Sequence, residues 1–167
     1  MLQKTDFTLS KAAINYQKRM TNPVIFWFAM LVKLPSAIFW KLKVKTLDSS
    51  ACQVTIPFFW RSQNPFKSIY FAALAGAAEL STGALCQLAL AGKGGFSMLV
   101  VDFRAEYYKK ANSKITFTCD QGKELFALIE PMKAGDTSQL TMISTGKNTS
   151  DETVAKFYVT WSFKRKS

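Results

Sequence analysis

The chain contains no histidine. That absence removes Ser-His-Asp and Cys-His catalysis, His-ligated zinc and iron sites, and any imidazole pH switch. Arginine is scarce, because of 22 basic residues only Arg19, Arg61, Arg104 and Arg165 carry a guanidinium fork. Lysine attracts phosphates diffusely but cannot read base edges bidentately, so no nucleic acid is expected as a partner. Cys52, Cys86 and Cys119 are widely spaced and form no CxxC. This spacing fits neither a disulfide framework nor a metal knuckle, and each thiol reads as a small core hydrophobe. No metal or cofactor is expected, and unpaired thiols point to a reducing, cytoplasmic compartment. Long apolar runs are also few. Val24–Val32 is wholly apolar but is closed by Lys33 and Pro35, well short of the roughly twenty residues that cross a bilayer. No A-x-A site follows it, so it reads as a packed or surface-bound helix rather than an export signal.

What is present suits a folded domain. Its 167 residues can bury about two thirds of their unfolded surface. A hydrophobic content of 49% with 14% aromatics excludes disorder. The formal net charge of +11 calls for an anionic partner. Charge is uneven, since residues 1–47 hold Lys4, Lys11, Lys18, Arg19, Lys33, Lys41, Lys43 and Lys45 against one acid, Asp6.

The hydrophobic pattern predicts a helix over Ser10–Met20. Asn22-Pro23 supplies a cap and first-turn proline for a second helix, which Pro35 stops. From Lys41 the period becomes two, with Lys41, Lys43 and Lys45 on one face and Leu42, Val44 and Thr46 on the other. A second strand is predicted over Ala51–Phe59. Ile69–Ala91 is nearly all Ala, Leu and Gly and reads as one long buried helix, with Ser68 as its cap and Gly92 at its end. Small residues at Ala72, Gly76 and Gly83 form a stripe that would let a sheet approach closely. Glu79, the one acid between Lys67 and Lys93, lies on that stripe. Further strands are predicted over Ser97–Tyr108, Ser113–Cys119, Thr137–Thr145 and Glu152–Lys164, with a short helix over Gly122–Met132.

A carboxylate in an apolar groove has its pKa raised by desolvation, which suits general-base work near neutrality. The first-turn amides of a helix sit at its positive dipole end and can stabilise an oxyanion. Glu79 supplies the first element, and the N–H groups of Phe71 and Ala72 the second. The alternative is a structural carboxylate held by Ser81, Thr82 or a partner subunit. Asn64 before Pro65 reads as an ordinary turn residue.

One long helix followed and preceded by antiparallel strands in this order resembles the hot-dog fold. The motif N-x-x-G-x-x-H-G-G-A-L-x-x-L-A-E of phenylacetyl-CoA thioesterase-like proteins aligns without gaps from Asn64 to Glu79. Asn64, Ala73, Leu74 and Glu79 match it. Lys67 replaces a glycine, Tyr70 the histidine, and Phe71-Ala72 the glycine pair. The chain also resembles a branch of these thioesterase-like proteins catalogued as a domain of unknown function. That branch has a helical preface and a closing strand like Val154-Ala155-Lys156-Phe157-Tyr158-Val159-Thr160-Trp161.

The resemblance implies an α+β hot-dog fold, an antiparallel six-stranded sheet wrapped around one long central helix. Residues 1–40 would be an N-terminal helical extension and residues 41–167 the hot-dog domain. It also implies a homodimer or dimer of dimers acting on an acyl-CoA or acyl-carrier thioester. Glu79 and Asn64 would be catalytic, and Lys67, Tyr70, Phe71 and Ala72 would contact substrate. Lys109, Lys110 and Lys114 are candidates for phosphate contacts. Two other readings stand beside this one. The first is an acyl- or lipid-binding hot-dog protein without chemistry, favoured by the lost glycines. The second is a basic protein with peripheral membrane contact through residues 23–40.

Overall fold

The N-terminal segment is helical because each helix start is capped or prolyl. The computed structural model describes residues 7–166, which leaves Lys4 and Asp6 of the charge cluster outside the described residues. Helix α1 (Lys11–Thr21) starts where the Ser10 hydroxyl accepts the Ala13 N–H at 3.1 Å. The same hydroxyl donates to the Ala91 carbonyl at 3.0 Å, tying this end to the main domain. Helix α2 (Pro23–Lys33) starts at Asn22, whose side-chain oxygen accepts the Val24 and Ile25 N–H groups at 3.0 Å each. Pro35 ends α2 as expected but also opens a further short helix, α3 (Pro35–Phe39). A proline at a first helical position forfeits no bond, so one residue serves as both stop and start.

Strand β1 (Lys43–Leu47) carries exposed Lys43 and Lys45 opposite buried Val44. The expected alternation fails at Thr46, since a bulge between Val44 and Thr46 turns Thr46 outward and buries Leu47 instead. Strand β2 (Cys52–Ile56) pairs with β1 on one side and with β4 (Ile115–Cys119) on the other. Strand β3 (Phe96–Tyr107) pairs with β6 (Thr153–Arg165), and β5 (Thr137–Lys147) joins β4 to β6. The result is one six-stranded antiparallel sheet in the order β1-β2-β4-β5-β6-β3. Cys52 and Cys119 are opposite each other in the β2–β4 register, and both are buried free thiols.

Helix α4 (Phe71–Leu90) lies in the concave face of this sheet, and α5 (Gly122–Ile129) closes one end. Its start corrects the expected cap. Ser68 is not at the helix start, because Asn64 takes up its N–H at 3.2 Å and Ile69 is drawn to the Ala111 carbonyl at 2.7 Å. Tyr70 occupies the cap position and provides no side-chain bond. Leu74, Ala77, Ala78, Leu85 and Leu88 of α4 meet Val54, Phe117, Phe157 and Val159 of the sheet in a single core. The core is tied by two polar links. The Ser81 and Ser144 hydroxyls, both buried, lie 2.7 Å apart, and the Trp161 indole N–H donates to Thr82 Oγ1 at 3.0 Å.

Candidate active site

Of the small residues on α4, Gly83 faces the sheet, as the stripe implied, whereas Gly76 faces the helical preface instead. A Cβ on Gly76 would lie 2.7 Å from Cζ3 of Trp40, so the room left by glycine is filled by an indole at the end of α3. A Cβ on Gly83 would lie 3.2 Å from Cζ2 of Trp161 and 3.3 Å from Oε1 of Glu79. The missing side chains therefore admit two tryptophan rings and leave the Glu79 carboxylate room beside the second.

Around Glu79 the helices of the preface, α4 and the sheet line a half-open cavity of about 510 Å³. Its lining includes Tyr16, Phe26, Met30, Leu34, Glu79 and Trp161, with Arg19 and Lys33 also on its wall. Burial drives the Glu79 carboxyl above the usual carboxylate range. Among the described residues no group donates a hydrogen bond to this carboxylate, and no cation pairs with it. The hydroxyls considered as holders are engaged elsewhere. Ser81 donates to the Ala78 carbonyl at 2.8 Å, and Thr82 donates to the Glu79 backbone carbonyl at 3.0 Å. Tyr16, from α1, has its phenol pushed up, chiefly by burial. A desolvated, unpaired carboxylate against an apolar cavity can accept a proton from water near neutrality.

The other candidates cluster at the start of α4. Asn64 holds the preceding loop, accepting the Phe66 and Ser68 N–H groups at 3.0 and 3.2 Å and donating to Ser68 Oγ at 3.1 Å. Lys67 is exposed and takes a left-handed backbone, with φ of 57°. Tyr70 and Phe71 are exposed and stack edge to face at 4.8 Å, while Ala72 is half-buried. With no side-chain cap, the Phe71 and Ala72 N–H groups have no partner among the described residues. None of Asn64, Lys67, Tyr70, Phe71 or Ala72 lines the Glu79 cavity. Glu79 lies eight helical steps beyond Phe71, about 12 Å along the axis. One chain therefore carries two half-sites that cannot meet at a single carbonyl. Farther off, Lys109 pairs with Glu152.

The cavity wall from α1 and α2 was not foreseen from the sequence. The spacing of Ala13, Tyr16 and Met20, at i, i+3 and i+7, is the signal that could have placed α1 against the domain.

Comparisons with known proteins agree with this architecture. No curated protein matches the chain. A Pseudomonas aeruginosa protein of unknown function, described as a probable thioesterase, superposes with TM-score 0.73 at 19% identity, covering 88% of this chain and 99% of that one. A thioesterase from Haemophilus influenzae superposes with TM-score 0.65 at 16% identity, covering 99% of this chain and 96% of that one. At such identities the likeness carries the fold alone. The fold is the α+β hot-dog fold of thioesterase-like proteins. Residues 23–163 match the family described as domain of unknown function DUF4442, and the chain belongs to that family.

Proposed function

We propose that the protein hydrolyses acyl thioesters carried on coenzyme A or an acyl carrier, with Glu79 as general base. The observation that carries this reading is the unpaired Glu79 carboxylate, raised in pKa by burial, on the wall of an apolar cavity of about 510 Å³. In the proposed reaction the acyl chain occupies the cavity. Glu79 removes a proton from water as the water oxygen attacks the thioester carbonyl carbon. The C–S bond then breaks, and the proton held by Glu79 passes to the leaving thiolate, giving a carboxylic acid and a free thiol.

The oxyanion needs donors that the same chain does not bring to Glu79. We assign them to the Phe71 and Ala72 N–H groups of a second copy, in a homodimer or dimer of dimers. Edge strand β3 supports such a pairing. It is hydrogen-bonded to β6 alone among the described strands and exposes Leu99 at 66%, with Val101 and Phe103 beside it. Tyr70 and Phe71 would contact the acyl carrier, Lys67 its phosphates, and Asn64 would position the loop that delivers them. In this reading residues 1–40 are an N-terminal extension whose helices α1 and α2 wall the acyl cavity, and residues 41–167 are the hot-dog domain. The free thiols fit a cytoplasmic setting.

A second reading, a binder of acyl chains without chemistry, is favoured by one observation. Phe71, 59% exposed, stands where the resembled thioesterases have glycine, and its ring crowds the approach to the helix start. Hydrolysis of a series of acyl-CoA thioesters by the wild type and by Glu79→Gln separates the two. The hydrolase reading expects turnover that falls by about 10²–10⁴-fold in the variant. Tight binding with no turnover in either protein would overturn it in favour of the binder.

A further inference from the structure

Helix α2 presents a face that a folded domain in water does not need. Its 11 residues are apolar except for Lys33, yet only Phe26 is buried. Val24, Trp27, Phe28, Leu31 and Val32 lie on one exposed stripe, with Phe28 at 63% and Val32 at 84%. Two chain-distant rings are linked to it through Arg61, which lines one cavity with Trp27 and sits over Phe39 and Trp60. Phe39 of α3 is exposed and meets the ring of Trp60, 76% exposed, at 6.5 Å. Contiguous apolar surface of this kind marks a docking site.

Its chemistry points to one occupant. The patch combines Trp and Phe with a border of cations, the composition of helices that lie in a bilayer interface. Beside it, Lys41, Lys43, Lys45 and Arg61 line a second cavity of about 690 Å³, whose apolar wall includes Phe26 and Trp27. Arg61 sits over the Phe39 and Trp60 rings at 5.5 and 5.6 Å, joining the charged and aromatic parts. Residues 7–47 contain no Asp or Glu. A second copy seated through the same patch would set its cations against themselves in a two-fold interface. A surface of anionic lipid headgroups matches both the apolar stripe and its cationic border.

We infer that the α2–α3 face with Trp60 docks the protein on anionic membrane surfaces, with α2 lying in the interfacial plane. This holds independently of the hydrolase reading, since it concerns a different face of the molecule and is read without turnover.

The test uses the full chain with vesicles of phosphatidylcholine containing phosphatidylglycerol, and with phosphatidylcholine alone. The protein should co-sediment with the anionic vesicles, less so as salt rises. Phe28→Glu/Val32→Glu should lower the bound fraction about tenfold or more. Brominated acyl chains should quench the tryptophan fluorescence, and the conservative Trp27→Phe variant should lose much of that quenching. A wild type that stays in the supernatant overturns the inference. So does binding that survives the double substitution, or binding without Trp27-dependent quenching, which would leave cations acting alone. If the double substitution instead dissociates an oligomer and vesicle binding is absent, the face belongs to a second copy.

Discussion

Helices α2 and α4 are built from the same class of residue and end in opposite surroundings. Of the 20 residues of α4, 13 are buried, whereas of the 11 in α2 only Phe26 is. The difference lies in side-chain volume rather than polarity. Helix α4 is mostly Ala, Gly and Leu, so a curled sheet and two indole rings can close around it. Helix α2 carries the bulkier Phe26, Trp27, Phe28 and Met30, and forms one wall of a cavity and one outward stripe. Helix α4 is long and apolar enough to cross a membrane by composition alone, yet the sheet wraps it. The shorter helix is the one that faces outward.

This contrast can be broken by substitution. The largest effect is expected at Leu85, fully buried between α4 and the sheet. Leu85→Ala should cost about 2–5 kcal/mol in urea unfolding, through lost transfer energy and the cavity it leaves. A cost near zero would mean that α4 is not enclosed as described.

The next effect is at Glu79 and has the opposite sign. Burial raises its carboxyl above the value in the unfolded chain, so the folded state binds the proton more tightly. Stability from this group is therefore full below the unfolded value and lost as pH rises through the folded one. Glu79→Gln should melt higher than the wild type at neutral pH, by about 2–4 °C for each kcal/mol relieved, and the gap should close in acid. Equal melting temperatures across the pH range would place the carboxylate in water.

The smallest effect is expected on α2. Val32→Ser should change unfolding stability by no more than about 0.5 kcal/mol, because the side chain is exposed. A loss comparable to that of Leu85→Ala would show the α2 stripe packed against something in solution.

Much of the fold was legible because its signals are local. The Ala, Leu and Gly run of α4, the alternation in β3 and β6, and the Asn22-Pro23 cap each lie within a few residues. The misreadings arose where two local signals competed. Pro35 both stops and starts a helix, Asn64 captures the Ser68 that would otherwise cap α4, and a bulge exchanges Thr46 for Leu47. Glu79 stood out as a lone acid in an apolar stretch. Its surroundings did not, because Tyr16, Met30 and Trp161 reach it only through the packing of α1, α2 and β6 against α4. The absent histidine, first a reason to exclude mechanisms, leaves a half-buried carboxylate as the candidate base.

The most direct measurement is the pH profile of kcat/KM for acyl-CoA hydrolysis by the wild type and Glu79→Gln. Because burial raises the Glu79 carboxyl, the wild-type rate should climb with pH along a limb lying above the ordinary carboxylate range, and the variant should lack that limb. A variant that hydrolyses the thioester as fast as the wild type, with the same limb, would contradict the account.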